Sequence, residues 1–178
     1  MADPTFSILD GTPAFTEGGS AVILDANVQV SDADLNASNY NDTTLTLARN
    51  GGTNTVDQFS GAGLVAGQAN GTVTTSATDI GTYTWTAGTL VMSFNTSATQ
   101  ALVNEAMQAI AYNNTSDTPS ASVQIDWTFV DNTSAQATGS TTVSITATND
   151  APVVSDAEAT LAYTISDSAT VIDSTLTL

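Results

Sequence analysis

The sequence predicts an all-β chain, an antiparallel sandwich of short strands with one short helix. Three observations carry that expectation. Thr accounts for 32 of the 178 residues, and Thr, Val and Ile suit the pleated surface of a sheet. Apolar and polar residues alternate with period two in many short runs, each bounded by Gly, Asn, Asp or Pro. Helical periodicity occurs in one place only, so there is no strand–helix alternation of the kind that builds parallel sheets.

Taken in order, residues 21–24 and 28–30 read as one bent strand. Residues 44–48 form a strand that ends at the turn Arg49-Asn50-Gly51-Gly52. Residues 71–75 form another, and residues 82–86 and 90–94 form a hairpin across Ala87-Gly88-Thr89. Residues 122–130 and 140–146 are the longest strands. Trp127 alternates with Ile125 and Phe129, which assigns it to the core. Trp85, between Tyr83 and Ala87, is assigned to packing and not to a sugar platform. The helix opens with Ser97-Ala98-Thr99-Gln100, an S-x-x-Q capping box. Leu102, Ala106 and Ile110 at i, i+4 and i+8 give it one apolar face. Residues 113–119 are a loop, and Asn149-Asp150-Ala151-Pro152 is a linker that Pro152 stiffens.

The tail repeats the head. A shift of 148 positions overlays 30 residues without a gap, and eight are identical: Pro4, Ser7, Thr12, Ala14, Thr16, Ser20, Ala21 and Asp25 with their partners. A fixed period marks a tandem array. The expected organisation is therefore one repeat over residues 1–148, a linker over 149–152, and the first strands of a next repeat over 153–178, all cut from a longer protein.

Charge narrows the functions. Eighteen acidic residues face one basic residue, Arg49, with no Lys and no His, for a net charge of −17. Such a surface lacks the cations that nucleic acid and anionic membranes require. It favours cations as partners, because mutually repelling carboxylates are relieved by an ion between them; the alternative is solubility alone, since acidic surfaces keep proteins dispersed. Arg49 is expected to pair with a nearby Asp. With no Cys, no disulfide is available. No stretch is apolar enough to span a bilayer, and Met1-Ala2-Asp3 does not open a signal peptide. Catalysis is not expected: His, Cys and Lys are missing, and nothing marks a cleft around Asp117, Asp126 or Asp131.

Three carboxylate clusters remain as candidate cation ligands. Glu17 lies in Phe15-Thr16-Glu17-Gly18-Gly19. Asp32-Ala33-Asp34 follows, a D-x-D that on a loop presents its oxygens together. Asn149-Asp150 precedes Pro152, and Asp131 ends a strand. Calcium takes six to eight such oxygens.

With these motifs the chain resembles a cadherin-like repeat of the kind strung in tandem through very large bacterial surface adhesins and hemolysin-type secreted proteins. The resemblance rests on the Glu17 motif, Val30-Ser31-Asp32-Ala33-Asp34-Leu35, Ile110-Ala111-Tyr112-Asn113-Asn114, Trp127-Thr128-Phe129-Val130-Asp131 and Ile145-Thr146-Ala147-Thr148-Asn149-Asp150-Ala151-Pro152. It implies an Ig/cadherin-like sandwich with calcium at the junctions between repeats. It further implies two half-sites: Asp32, Asp34 and Asp131 toward a preceding repeat, and Glu17, Asn149 and Asp150 toward the following one. Ile165 stands one period after Glu17, a departure from the family pattern at the later junction. The implied role is an extracellular or cell-surface extender whose partners are neighbouring repeats of the same chain. The alternative is a self-associating or glycan-binding module, in which the C-terminal half-repeat adds a strand to another copy.

Overall fold

The computed structural model describes residues 2–152, 164–166, 168, 169 and 171. The chain divides into two compact units, Met1–Thr148 and Asn149–Leu178. The expected strands of a next repeat lie almost wholly outside the described residues. The first unit is all-β, as its composition and alternation predict.

Among the described residues, twelve strands and two helices follow one another: β1 (Thr5–Ser7), β2 (Ala14–Thr16), β3 (Val22–Ile23), β4 (Gln29–Ser31), α1 (Ala33–Asn36), β5 (Thr44–Arg49), β6 (Asp57–Ser60), β7 (Asn70–Thr75), β8 (Thr78–Thr86), β9 (Thr89–Phe94), α2 (Gln100–Gln108), β10 (Ala111–Asn114), β11 (Ser122–Val130) and β12 (Gln136–Thr146). They form a seven-stranded sheet in the order β2-β12-β11-β5-β9-β8-β7, a three-stranded sheet β3-β10-β6, and the pair β1-β4. Among these pairings β2 with β12 is parallel and the others are antiparallel.

Alternation decides the inner face. Along β11, Val123, Ile125, Trp127 and Phe129 are buried while the residues between them are exposed or half-buried. This is the expected reading of a strand with one face on the core. Tyr112 of β10 stands edge-on to Phe15 of β2 and to Phe59 of β6, with ring centroids 6.2 and 6.1 Å apart. The contact with Phe15 ties the three-stranded sheet to the edge of the large one in a single core, and that with Phe59 lies within the three-stranded sheet.

Three local expectations are corrected. The bent strand over 21–30 is two strands in different sheets, because the buried Asp25 interrupts it. Its Oδ1 accepts from Asn27 N and Val28 N at 3.0 and 2.8 Å, and its Oδ2 from Asp10 N and Gly11 N at 2.8 and 2.7 Å. Four backbone donors on one carboxylate make a corner that no continuous strand passes. In the helix α2, the cap is Thr99 and not Ser97: Thr99 is extended (φ −91°, ψ 161°) and its hydroxyl accepts from Leu102 N. Ser97 is held in the preceding turn by Asn95 Oδ1, and the Gln100 amide reaches Val30 O at 3.1 Å instead of back to Ser97. The buried face of α2 is Val103, Ala106 and Met107, with Ile110 just past its end and Leu102 half-buried. Finally, the single expected helix has a one-turn companion, α1, built on the D-x-D itself.

The edge strand β7 is not open along its length. Thr74 N donates to Ala62 O at 2.9 Å, and a Cβ on Gly63 would come within 2.6 Å of Thr72 O. The segment around residues 61–64 thus lies close against the strand.

Candidate metal centre

Asp32 is 2% exposed. One of its oxygens, Oδ1, caps α1 by accepting from Asp34 N and Leu35 N at 2.8 and 3.0 Å. The other, Oδ2, is buried without a hydrogen-bond partner. The D-x-D therefore does not present two carboxylates side by side from a loop, because the first serves as an N-cap, a role that short acidic side chains fill well. Asp34 points outward, and its Oδ2 accepts from Ala2 N at 2.6 Å.

Asp131 is buried in the tight connection between β11 and β12. Its Oδ1 accepts from Thr133 N and Ala135 N at 2.7 and 2.8 Å, and both oxygens meet the Thr133 hydroxyl at 2.9 Å. Burial alone would raise this carboxyl, but the hydrogen bonds from Thr133, Ala135 and Ser134 outweigh it and hold the group below the usual Asp range. Asp131 is thus kept anionic.

Tyr40 links Asp32 to this end of the molecule. Its ring packs at 5.9 Å from that of Phe129, two residues before Asp131, and its hydroxyl donates to Asn36 Oδ1 at 2.8 Å. Burial pushes the Tyr40 phenol up to about 12; a hydrogen bond from the Asp32 backbone opposes the shift and the Asp32 charge adds to it.

Glu17 occupies the other end. Its backbone N donates to Thr146 O at 2.9 Å, at the close of β12, and its Oε2 accepts from Thr148 N at 2.8 Å. Its Oε1 is buried and unpartnered. Since β12 runs 11 residues from the Asp131 turn to Thr146, these two ends stand about 35 Å apart. Asn149 and Asp150 belong to the second unit, where Asn149 Nδ2 donates to the Asp150 carbonyl at 3.0 Å. Among the described residues, no three acidic side chains come together as a complete metal-ligand group.

Two structural carboxylates escaped sequence reasoning. The Asp25 corner was signalled by its identity with Asp173 one period later, but not its role. Asp57 is fully buried and receives Arg49 in a two-pronged pair, Nε to Oδ2 and Nη2 to Oδ1, both at 2.6 Å. Tyr112 donates to the same Oδ1 at 2.6 Å, Asn114 Nδ2 reaches it at 3.3 Å, and Trp85 Nε1 donates to the Asp57 carbonyl at 3.1 Å. The hydrogen bond to Asp57 raises Arg49 above its ordinary value, and burial raises Tyr112. The expected Arg–Asp pair is therefore present, with Trp85 as part of its support.

No known protein family, no curated protein and no solved structure matches this chain.

Proposed function

We propose that this chain is an extender repeat of a cell-surface or secreted protein, an Ig/cadherin-like sandwich stiffened by calcium between successive repeats. One observation carries the reading. Of the four buried side-chain polar atoms without a partner among the described residues, two are carboxylate oxygens, Asp32 Oδ2 and Glu17 Oε1. Both belong to the residues expected to bind metal, and they sit at opposite ends of the unit. A buried anionic oxygen without a donor is costly. A hard divalent cation, which takes oxygen ligands, is the partner that suits it best. The remaining ligands would be Asp34 and Asp131 at one end, while the resemblance groups Glu17 with the linker residues Asn149 and Asp150. Asp131 retains acceptor capacity, since an ionised carboxylate offers about four lone-pair sites. Each end supplies part of a coordination sphere, and the adjoining repeat supplies the rest.

The role follows from electrostatics. Without the ion, the carboxylates of a junction repel and the linker bends freely. With it they converge on one charge, and neighbouring repeats hold a fixed angle. Affinities of about 10⁻⁴ to 10⁻³ M, usual for extracellular calcium modules, would suit a calcium-rich fluid.

The test is thermal unfolding of a two-repeat protein in EDTA and in about 10 mM calcium. A site with a dissociation constant of about 1 mM adds on the order of 1.4 kcal/mol, a rise in Tm of a few degrees for this size. Asp32→Asn keeps the cap, because Asn caps as well as Asp, and is expected to remove the calcium increment while leaving Tm in EDTA nearly unchanged. An equal increment in wild type and Asp32→Asn would sink the assignment of Asp32.

A further inference from the structure

The one basic side chain of the molecule opens on a cleft. Arg49, Asn54, Val56, Asn114, Ser116, Thr118, Pro119 and Ser120 line a recess of about 230 Å³. Four features give it the character of a built site. The first is its charge: among the described residues no acidic side chain is in the wall, which beside Arg49 is amide, hydroxyl and two small apolar side chains.

The second is rigidity. Arg49 and Asn114 are both fastened to the buried Asp57, and Asn114 Nδ2 also reaches the Tyr112 hydroxyl at 2.9 Å. Asn114 Oδ1 accepts from Ser116 N at 2.9 Å, and Ser116 Oγ from Thr118 N at 3.2 Å, which sets the loop that forms one wall. Asn54 is set on the other side by Val56 N on its Oδ1 at 3.2 Å and by Asp57 N on its carbonyl at 3.0 Å. Polar groups held this way bind without first having to be ordered.

The third is unused bonding capacity. The guanidinium has five N–H donors and commits Nε and Nη2 to Asp57. Among the described residues, Asn54 Nδ2 and Thr118 Oγ1 make no hydrogen bond within the chain. The fourth is size. At about 230 Å³ the recess falls below the roughly 300–1,000 Å³ of drug-sized pockets. That is room for one small ring.

We propose that this cleft binds a single neutral sugar ring, a terminal or branch residue of a glycan, whose adjacent hydroxyls bridge Arg49, Asn54 and the hydroxyls of the 116–120 loop. Charge selects the neutral ligand. Arg49 is already matched by Asp57, so the cleft has no net positive charge, and the net charge of −17 repels an acidic sugar. Trp85 plays no stacking part: it is not in the wall, and its ring nitrogen is bound to the Asp57 carbonyl beneath it.

The experiment is backbone amide NMR of the full chain in EDTA, titrated separately with galactose, glucose, N-acetylglucosamine and glucuronate to about 50 mM, ample for a site of about 1 mM. Working in EDTA keeps the outcome independent of the calcium reading. At least one of the three neutral sugars is expected to give saturable shifts at Asn54, Ser116, Thr118 and Ser120. Thr118→Trp and Ser120→Tyr fill the recess from exposed positions and should each abolish those shifts with the rest of the spectrum intact. Arg49 is not substituted, since its loss would leave Asp57 buried and unpaired. Absence of saturable shifts with every neutral sugar overturns the proposal, as does binding that survives both filled clefts. Tighter binding of glucuronate overturns the charge argument.

Discussion

Side chain by side chain, the carboxylates of this molecule do more structural work than an acidic surface would suggest. Asp25, Asp32, Asp57 and Asp131 are all buried, and each gathers hydrogen bonds or an ion pair. Asp131 offers a direct measurement. Its folded carboxyl sits below the ordinary value of about 3.9, so in acid the unfolded chain takes up this proton first. The stability it contributes is present above the unfolded value and is lost as pH falls through the folded one. Between about pH 5 and pH 2, wild type should therefore lose more Tm than Asp131→Asn, whose group does not titrate; parallel curves would refute the linkage. The candidate ligands were legible as a spacing of Asp, Glu and Asn. What sequence could not supply was which oxygen faces inward. Asp32 turns one oxygen to its own helix and leaves the other unpartnered, and only the backbone path decides that.

The strands show where pattern suffices and where it fails. The strand β11 was legible to the residue, because nine alternating positions admit one register. The hairpin β8–β9 was legible through its Ala87-Gly88 turn. Strands β1, β2, β3, β4 and β6 have two to four residues each, too few for a period to declare itself. Their positions are set by contacts distant in sequence, such as Asp25 on Asp10 and Gly11. The helix α2 was found but mis-started, because Ser97 and Thr99 are both good caps and the tertiary pull of Val30 on Gln100 selects the second. Thr99→Ala should cost about 1 kcal/mol in chemical denaturation and Ser97→Ala about none; the reverse order would restore the capping box. Coverage of the β7 edge by residues around Ala62 also bears on assembly, since it leaves short stretches such as β2 and β3 as edges for strand addition, and short edges are a common defence against it.

For the molecule as a whole, the all-β class follows from composition and alternation alone, whereas the partition into sheets of seven, three and two strands does not. That partition depends on where the chain crosses between sheets, and the crossing between β1 and β2 is marked by Ile8, an exposed β-branched residue with φ of 55°. It brings the early strand β2 beside the last strand β12, in parallel, with Ala14, Phe15 and Thr16 opposite Ser144, Ile145 and Thr146. Two further bonds extend the contact, from Ser144 N to Pro13 O and from Glu17 N to Thr146 O. The geometry has a mechanical meaning. When a tether pulls the chain from both sides, β2 is drawn toward its start and β12 toward its end, and in parallel strands those directions are opposed. The bonds between them are then loaded in shear, all at once, and cannot open one by one like a zipper. Single-molecule stretching of the first unit should therefore give one high-force rupture, lowered by Phe15→Ala, which thins the packing behind the patch, and little changed by Val91→Ala on β9. Rupture forces that fall equally in both variants would show that resistance is spread through the sheet. Otherwise three residue pairs at the Glu17 end set the tension that the whole unit can bear.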